Sequence, residues 1–174
     1  LSELERMVRE HEADFAAALQ ADLHKCAFET ALSELGFVES EAKYARKHLR
    51  RWARAKRVST PLMALPGSSY IQPEPKGVVL IIAPWNYPLS MVCAPLVGAI
   101  AGGNCAVLKP SEITSHTSAA LARFIPRYLD NDAFAVIEGA VAETTELLEH
   151  HYDHILYTGN ERVAKLVMTA AAKH

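Results

Sequence analysis

The sequence predicts an α/β fold, a doubly wound parallel sheet preceded by a helical layer, and three observations carry that reading. Gly77 to Ala83 is a continuous run, Val78-Val79-Leu80-Ile81-Ile82, of the kind found in strands buried on both faces. From Lys76 onward, short apolar runs alternate with helical patterns, as right-handed βαβ crossovers require. Before that point the chain shows helical spacing and a proline-rich stretch, with no comparable strand.

Taken in order, Leu1 to Leu23 reads as one running helix with Leu4, Val8, Phe15 and Leu19 on a stripe. Ala21 to His24 offers a break, with Asp22 as a cap. A long helix follows, its buried face drawn from Phe28, Leu32, Leu35, Val38, Ala42, Ala45, Leu49 and Trp52. Its end is basic (Arg46, Lys47, Arg50, Arg51, Arg54, Lys56, Arg57), which either complements the helix macrodipole or marks an anionic partner. Residues 58–76 carry Pro61, Pro66, Pro73 and Pro75 and read as a peripheral ribbon suited to subunit contacts. Strands are then expected at Gly77–Ala83, Cys105–Leu108, Phe134–Ile137 and His154–Tyr157, with helices at Leu89–Ala101, Thr117–Tyr128, Glu143–Glu149 and Asn160–Ala172. The division is a helical layer (1–57), a ribbon (58–76) and a partial nucleotide-binding domain (77–174). Both ends read as cut within helices, so the domain is expected to be incomplete.

Composition excludes several functions. A net charge of -2 over 174 residues gives no field for holding nucleic acid. Three scattered cysteines, Cys26, Cys93 and Cys105, form no disulfide framework. No apolar run approaches the roughly 18 residues of a membrane span, so a cytoplasmic protein is expected, membrane-associated only through a tail outside this sequence. His150, His151 and His154 lack a cysteine companion and have acidic neighbours, Glu149 and Asp153, which favours a solvated loop over a metal site; no metal is expected.

Chemistry gathers at strand ends, where ligands bind in open α/β sheets. Pro84 and Pro88 stiffen a turn presenting Trp85, Asn86 and Tyr87. Asn86 is either a donor suited to an oxyanion or an Asx-turn residue bonding its own backbone. No glycine-rich phosphate loop follows the first strand. Tyr157-Thr158-Gly159-Asn160 has the strand–turn–helix form instead, and its amides at Gly159 and Asn160 are the expected phosphate contact. After the second strand, Lys109 and Glu112 suit a ribose diol, Glu112 also repelling a 2′-phosphate; equally, Pro110-Ser111-Glu112 can cap the next helix, with Ser111 or Thr114 as cap.

The segments P-W-N-Y-P (84–88), L-K-P-S-E (108–112) and Y-T-G-N (157–160), in this order, resemble the NAD(P)-dependent aldehyde dehydrogenase superfamily. G-V-V-L-I-I-A-P-W-N-Y-P (77–88), E-T-T-E-L-L (143–148) and V-M-T-A-A-A-K-H (167–174) look most like its class 3, fatty-aldehyde-oxidising branch. The resemblance implies a Rossmann-like sheet of the aldehyde dehydrogenase type, NAD as cofactor with NADP possible, an aldehyde as substrate and a homodimeric parent enzyme. It makes Asn86 the donor to a thiohemiacetal oxyanion and gives Lys109 and Glu112 the adenosine ribose. Backbone around Ile82, Ala83 and Trp85 would line the nicotinamide half, Gly139 the adenine end, Gly159 and Asn160 the pyrophosphate, and Tyr87 the aldehyde channel. Ala140 and Ala164 stand where the family often has glycine. The cysteine nucleophile and general-base glutamate of the family have no counterpart in these residues, so the chain alone is expected to be inactive. The alternatives are a non-catalytic nucleotide-binding module and a structural fragment dependent on a partner.

Overall fold

The computed structural model describes residues 1–173; His174, the last residue of the V-M-T-A-A-A-K-H segment, lies outside them. The helices are α1 (Ser2–Glu10), α2 (Glu12–Leu23), α3 (Ala27–Glu29), α4 (Gly36–Trp52), α5 (Ser90–Ala101), α6 (Ser115–Tyr128), α7 (Val141–Leu147) and α8 (Glu161–Ala171). The strands are β1 (Lys56–Val58), β2 (Ser69–Ile71), β3 (Val78–Ile82), β4 (Cys105–Lys109), β5 (Phe134–Val136) and β6 (His154–Tyr157). β1, which starts two residues before the expected ribbon boundary at Val58, pairs antiparallel with β2 of the proline-rich stretch as a separate two-stranded ribbon. Among the described residues no helix is long and apolar enough to cross a membrane.

The main sheet has four parallel strands in the order β5-β4-β3-β6. The chain winds outward through β3, β4 and β5, then returns through α7 to place β6 on the other side of β3. That reversal creates a switch point between β3 and β6. Alternation along β3 sorts its side chains between two cores. Val79 and Ile81 join Val92, Leu96, Leu121 and Phe124 under α5 and α6, and the N-terminal helices extend this layer with Leu4, Val8, Phe15 and Val38. Leu80 and Ile82 face a thinner cluster containing Val163 and Val167 of α8 and Leu147 of α7. The sheet is therefore heavily covered on one face and lightly on the other.

The strands stand close to where the apolar runs put them, but the N-terminal region differs in two ways. The expected single helix is two, because His11 departs from helical geometry (φ -113°, ψ 24°) between α1 and α2. Nor does the second helix bury one continuous stripe: Phe28 is 76 % and Leu32 65 % exposed, and Trp52 also faces solvent, while Leu35, Val38, Ala42 and Ala45 are buried. The cause is a π-helical turn, Thr30–Leu35, between α3 and α4. One residue added to a helical turn rotates everything after it by about 100° relative to an uninterrupted α-helix.

Asp22 caps, though not the helix beside it. His24 ends α2 in the left-handed conformation, φ 54°. The Asp22 carboxylate instead accepts hydrogen bonds from the backbone N–H groups of His116 (3.1 Å) and Thr117 (2.8 Å), in the first turn of α6, and from the Thr117 hydroxyl at 2.8 Å. α6 has no side-chain cap of its own, so a carboxylate from α2 serves both orphan amides and the positive helix end. Burial would raise the Asp22 pKa, but the hydrogen bonds from Thr117 and His116 outweigh it and lower the value overall. Asp22→Ala is expected to cost about 1–2 kcal/mol in denaturant unfolding at neutral pH. A carboxyl that titrates lower when folded gives its full contribution above its unfolded range and loses it as pH falls through the lowered folded value. The wild-type and variant stabilities should therefore converge in acid, and a constant gap throughout that fall would contradict the assignment.

Candidate functional site

The parallel register sets Ile82 beside Lys109 on one side and Tyr157 on the other, so three β-to-α turns leave the sheet at one edge. Ala83 N–H donates to the Lys109 carbonyl at 3.1 Å and Thr158 N–H to the Ile82 carbonyl at 3.1 Å, tying these turns together. Between them and the facing sides of α7 and α8 lies a cleft of about 1110 Å³. Its lining includes Ile82, Ala83, Trp85, Asn86, Lys109, Glu112, Gly159 and Asn160, eight of the residues singled out from sequence.

Asn86 is exposed at this edge, and its carboxamide makes no hydrogen bond within the described residues, so it does not close an Asx-turn. Beside it, Trp85 is half exposed. Lys109 is buried at 2 % exposure, and for its three N–H groups the one acceptor among the described residues is the Pro110 carbonyl, 2.7 Å away. Desolvation lowers the Lys109 pKa, opposed by the carboxylates of Glu112 and Glu143. Ser111 does act as a cap, its hydroxyl accepting from Ile113 N–H at 3.3 Å in a short 3₁₀ turn, which leaves Glu112 exposed on the cleft. Capping and cleft-lining thus coexist on neighbouring residues.

The Gly159 turn feeds α8, whose first turn lines the cleft with Asn160, Arg162 and Val163. Asn160 caps this helix, its side-chain oxygen accepting from Val163 N–H at 3.0 Å. The positive end of α8 therefore adjoins the cleft, an arrangement that suits an anion. A buried lysine with donors to spare, an exposed carboxylate three residues on and a helix N-terminus fit the alternating hydroxyls and phosphates of a dinucleotide.

Two of the singled-out residues do not line the cleft. Tyr87 lies beneath the Lys25 ammonium, 3.9 Å from the ring centroid. Gly139, at φ +139°, precedes α7, and a Cβ there would collide with the Glu143 side chain, whose carboxylate accepts from Ala140 N–H at 2.7 Å. Glu143's own backbone N–H, and then that bond, lower the Glu143 pKa. Of the two alanines noted in sequence, Ala140 lines the cleft and Ala164 does not.

Sequence reasoning missed Thr144 and Thr145 of α7 with Leu148 just past its end, and Leu166 and Thr169 of α8 with Lys173 just past its end, which line the cleft. Their signal was available in the helical spacing of 144 and 148, and of 162, 166, 169 and 173. None of the three cysteines belongs to the lining: Cys26 is exposed elsewhere, Cys105 is half-buried, and Cys93 is buried, its thiol pushed up to about 12 by desolvation and the Glu34 charge. Such a thiol is inert at neutral pH. Among the described residues no group of three His, Cys, Asp or Glu side chains could hold a metal ion.

Comparison with known proteins shows the family and the fold. The family model described as "Aldehyde dehydrogenase family" matches residues 1–174. Aldehyde dehydrogenase family 3 member B1 of Bos taurus is 50 % identical over all 174 residues of the chain, which covers 37 % of that relative. The dimeric, NADP-preferring aldehyde dehydrogenase of Canis lupus familiaris is 49 % identical, with 38 % of its length covered. A substrate-bound structure of Staphylococcus aureus AldH superposes with a TM-score of 0.96 at 42 % identity, over 99 % of this chain and 38 % of that one. The chain spans somewhat over a third of the length of these proteins, and it belongs to the aldehyde dehydrogenase family.

Proposed function

We propose that the chain forms the nucleotide-binding sheet, and supplies one catalytic side chain, of an enzyme that oxidises an aldehyde to a carboxylic acid with a nicotinamide nucleotide. The observation that carries this reading is that an unengaged carboxamide, Asn86, and a lysine–carboxylate pair, Lys109 and Glu112, line one cleft at the switch point of a parallel sheet. When bound, the nicotinamide nucleotide accepts the hydride. Lys109 donates to ribose hydroxyls, and Glu112 accepts from them. The α8 end and the turn at Gly159 and Asn160 stabilise phosphate charge, while backbone at Ile82, Ala83 and Trp85 flanks the reacting half.

Asn86 donates its amide N–H to the oxygen that gains negative charge when a thiolate adds to the aldehyde carbon. The thiolate and the base that activates water come from other parts of the whole protein, because Cys93 is buried and neither Cys26 nor Cys105 reaches the cleft. The 174-residue chain on its own is then inactive. The parent enzyme is a homodimer in this reading, supported by the exposed apolar residues Leu62, Met63, Tyr70 and Ile71 on and beside the β1–β2 ribbon.

Glu112 favours NAD, since a carboxylate near the ribose repels a 2′-phosphate, whereas a canine relative is named NADP-preferring. In the full-length polypeptide, Asn86→Ala should lower kcat for aldehyde oxidation about 100- to 1,000-fold while the nucleotide Kd stays within twofold; a kcat within threefold of wild type would remove Asn86 from the chemistry. Glu112→Gln should narrow the NAD-to-NADP preference measured by calorimetry, and an unchanged ratio would show that the carboxylate does not face the ribose. Lys109→Met should weaken nucleotide binding at least tenfold while changing unfolding stability by less than about 1 kcal/mol, because the lost bond to Pro110 is offset by relief of a desolvated charge. A large stability loss with normal binding would make Lys109 a purely structural residue.

A further inference from the structure

Glu34 has no solvent exposure at all, and its carboxylate joins two parts of the molecule that are distant in sequence. One oxygen accepts from the Lys25 ammonium at 2.6 Å. The other accepts from the backbone N–H of Ser90 at 2.8 Å. Ser90 is the first residue of α5, four beyond Asn86, and α5 has no side-chain cap of its own. The Lys25 ammonium also rests on the ring of Tyr87, the residue next to Asn86. Carboxylate and ammonium therefore grip the turn that carries Asn86, one through Ser90 and the other through Tyr87.

The π-helical turn Thr30–Leu35 brings Glu34 there. Gly36 N–H donates to the Ala31 carbonyl across the widened turn, and a Cβ at position 36 would lie 2.7 Å from that oxygen. Glycine thus permits the π turn, and the π turn gives Glu34 the phase of the buried residues after it rather than that of the exposed Phe28 and Leu32. π turns inside helices occur disproportionately at functional sites. A buried ion pair rarely stabilises a fold more than apolar residues of the same volume would, so stability alone does not account for this one.

We infer that Lys25 and Glu34 are positioning residues, a buried pair delivered by the π turn that sets the carboxamide of Asn86 at the cleft edge. What Asn86 then does rests on the aldehyde-oxidation reading above.

The test compares two full-length double variants, Lys25→Met with Glu34→Gln, and Lys25→Met with Glu34→Leu. Both remove the two charges, but only glutamine keeps an acceptor for Ser90 N–H. The leucine variant should have a kcat at least tenfold below the glutamine variant, a nucleotide Kd by calorimetry within twofold of it, and faster deuterium uptake over residues 84–92. Equal kcat and equal uptake would overturn the inference. Gly36→Ala leaves both charges in place and disturbs only the turn, and it should reproduce the loss of kcat and the faster uptake. Wild-type values in that variant would also overturn the inference, even if the leucine variant does not fold. A wild-type full-length polypeptide that reduces no nucleotide with aldehyde would sink the enzyme reading separately, and the uptake comparison would still decide the positioning.

Discussion

The structure depends on the central place of β3, paired in parallel with β4 on one side and β6 on the other. Parallel pairing satisfies the backbone of a strand whose side chains are apolar on both faces, and it sends every following turn to the same edge. With Ile82, Lys109 and Tyr157 in register, the turns beginning at Ala83, Pro110 and Thr158 have no other place to go. A cleft at the end of an apolar sheet follows from hydrogen-bond geometry, before any particular polar side chain on its rim is considered. Reversal of strand order at β6 opens the space between α7 and α8 that a ligand can enter.

A second constraint concerns helix ends. α5 and α6 cover the heavily buried face of the sheet, and both begin without a side-chain cap of their own. Glu34 serves the first and Asp22 the second, each a carboxylate from the N-terminal helical layer. The same device appears at the start of β3, where Val78 N–H donates to the Asp153 carboxylate and Gly77 N–H to the Asn104 side chain. The N-terminal helices thus do more than bury apolar surface: they fix where the two βα units under them begin. Their chemistry reaches the cleft indirectly, through the turn at Asn86.

Much of this was legible in sequence because it is written in short-range pattern. A run of five apolar residues flanked by glycine and proline identifies β3, and alternation gives the other three strands of the main sheet to within a residue or two, whereas β1 begins at Lys56, where the basic end of the long helix was expected. The cleft residues at 82–86, 109–112 and 159–160 were legible because they lie at strand ends. What escaped notice depends on partners far away in the chain. Nothing local distinguishes Glu34, fully buried, from Glu39 or Glu41 on the same helical stretch. The break at His11 was hidden because apolar residues continue at helical spacing on both sides of it. Phe28 and Leu32 fit the stripe of Leu35 and Val38 by sequence spacing, and only the π turn separates their faces. Tyr87 shows the limit of reading a motif as a unit, since its neighbours line the cleft while its ring lies against Lys25.

The central claim is that Asn86 and the Lys109–Glu112 pair address two ends of one bound nicotinamide nucleotide. A crystal structure of the full-length polypeptide with that nucleotide soaked in would test it most directly. The account predicts the adenosine ribose within hydrogen-bonding distance of Lys109 and Glu112, and the nicotinamide ring against the backbone at Ile82 to Asn86. A nucleotide bound outside the cleft between α7 and α8, or lying in it with the nicotinamide at Glu112, would contradict it.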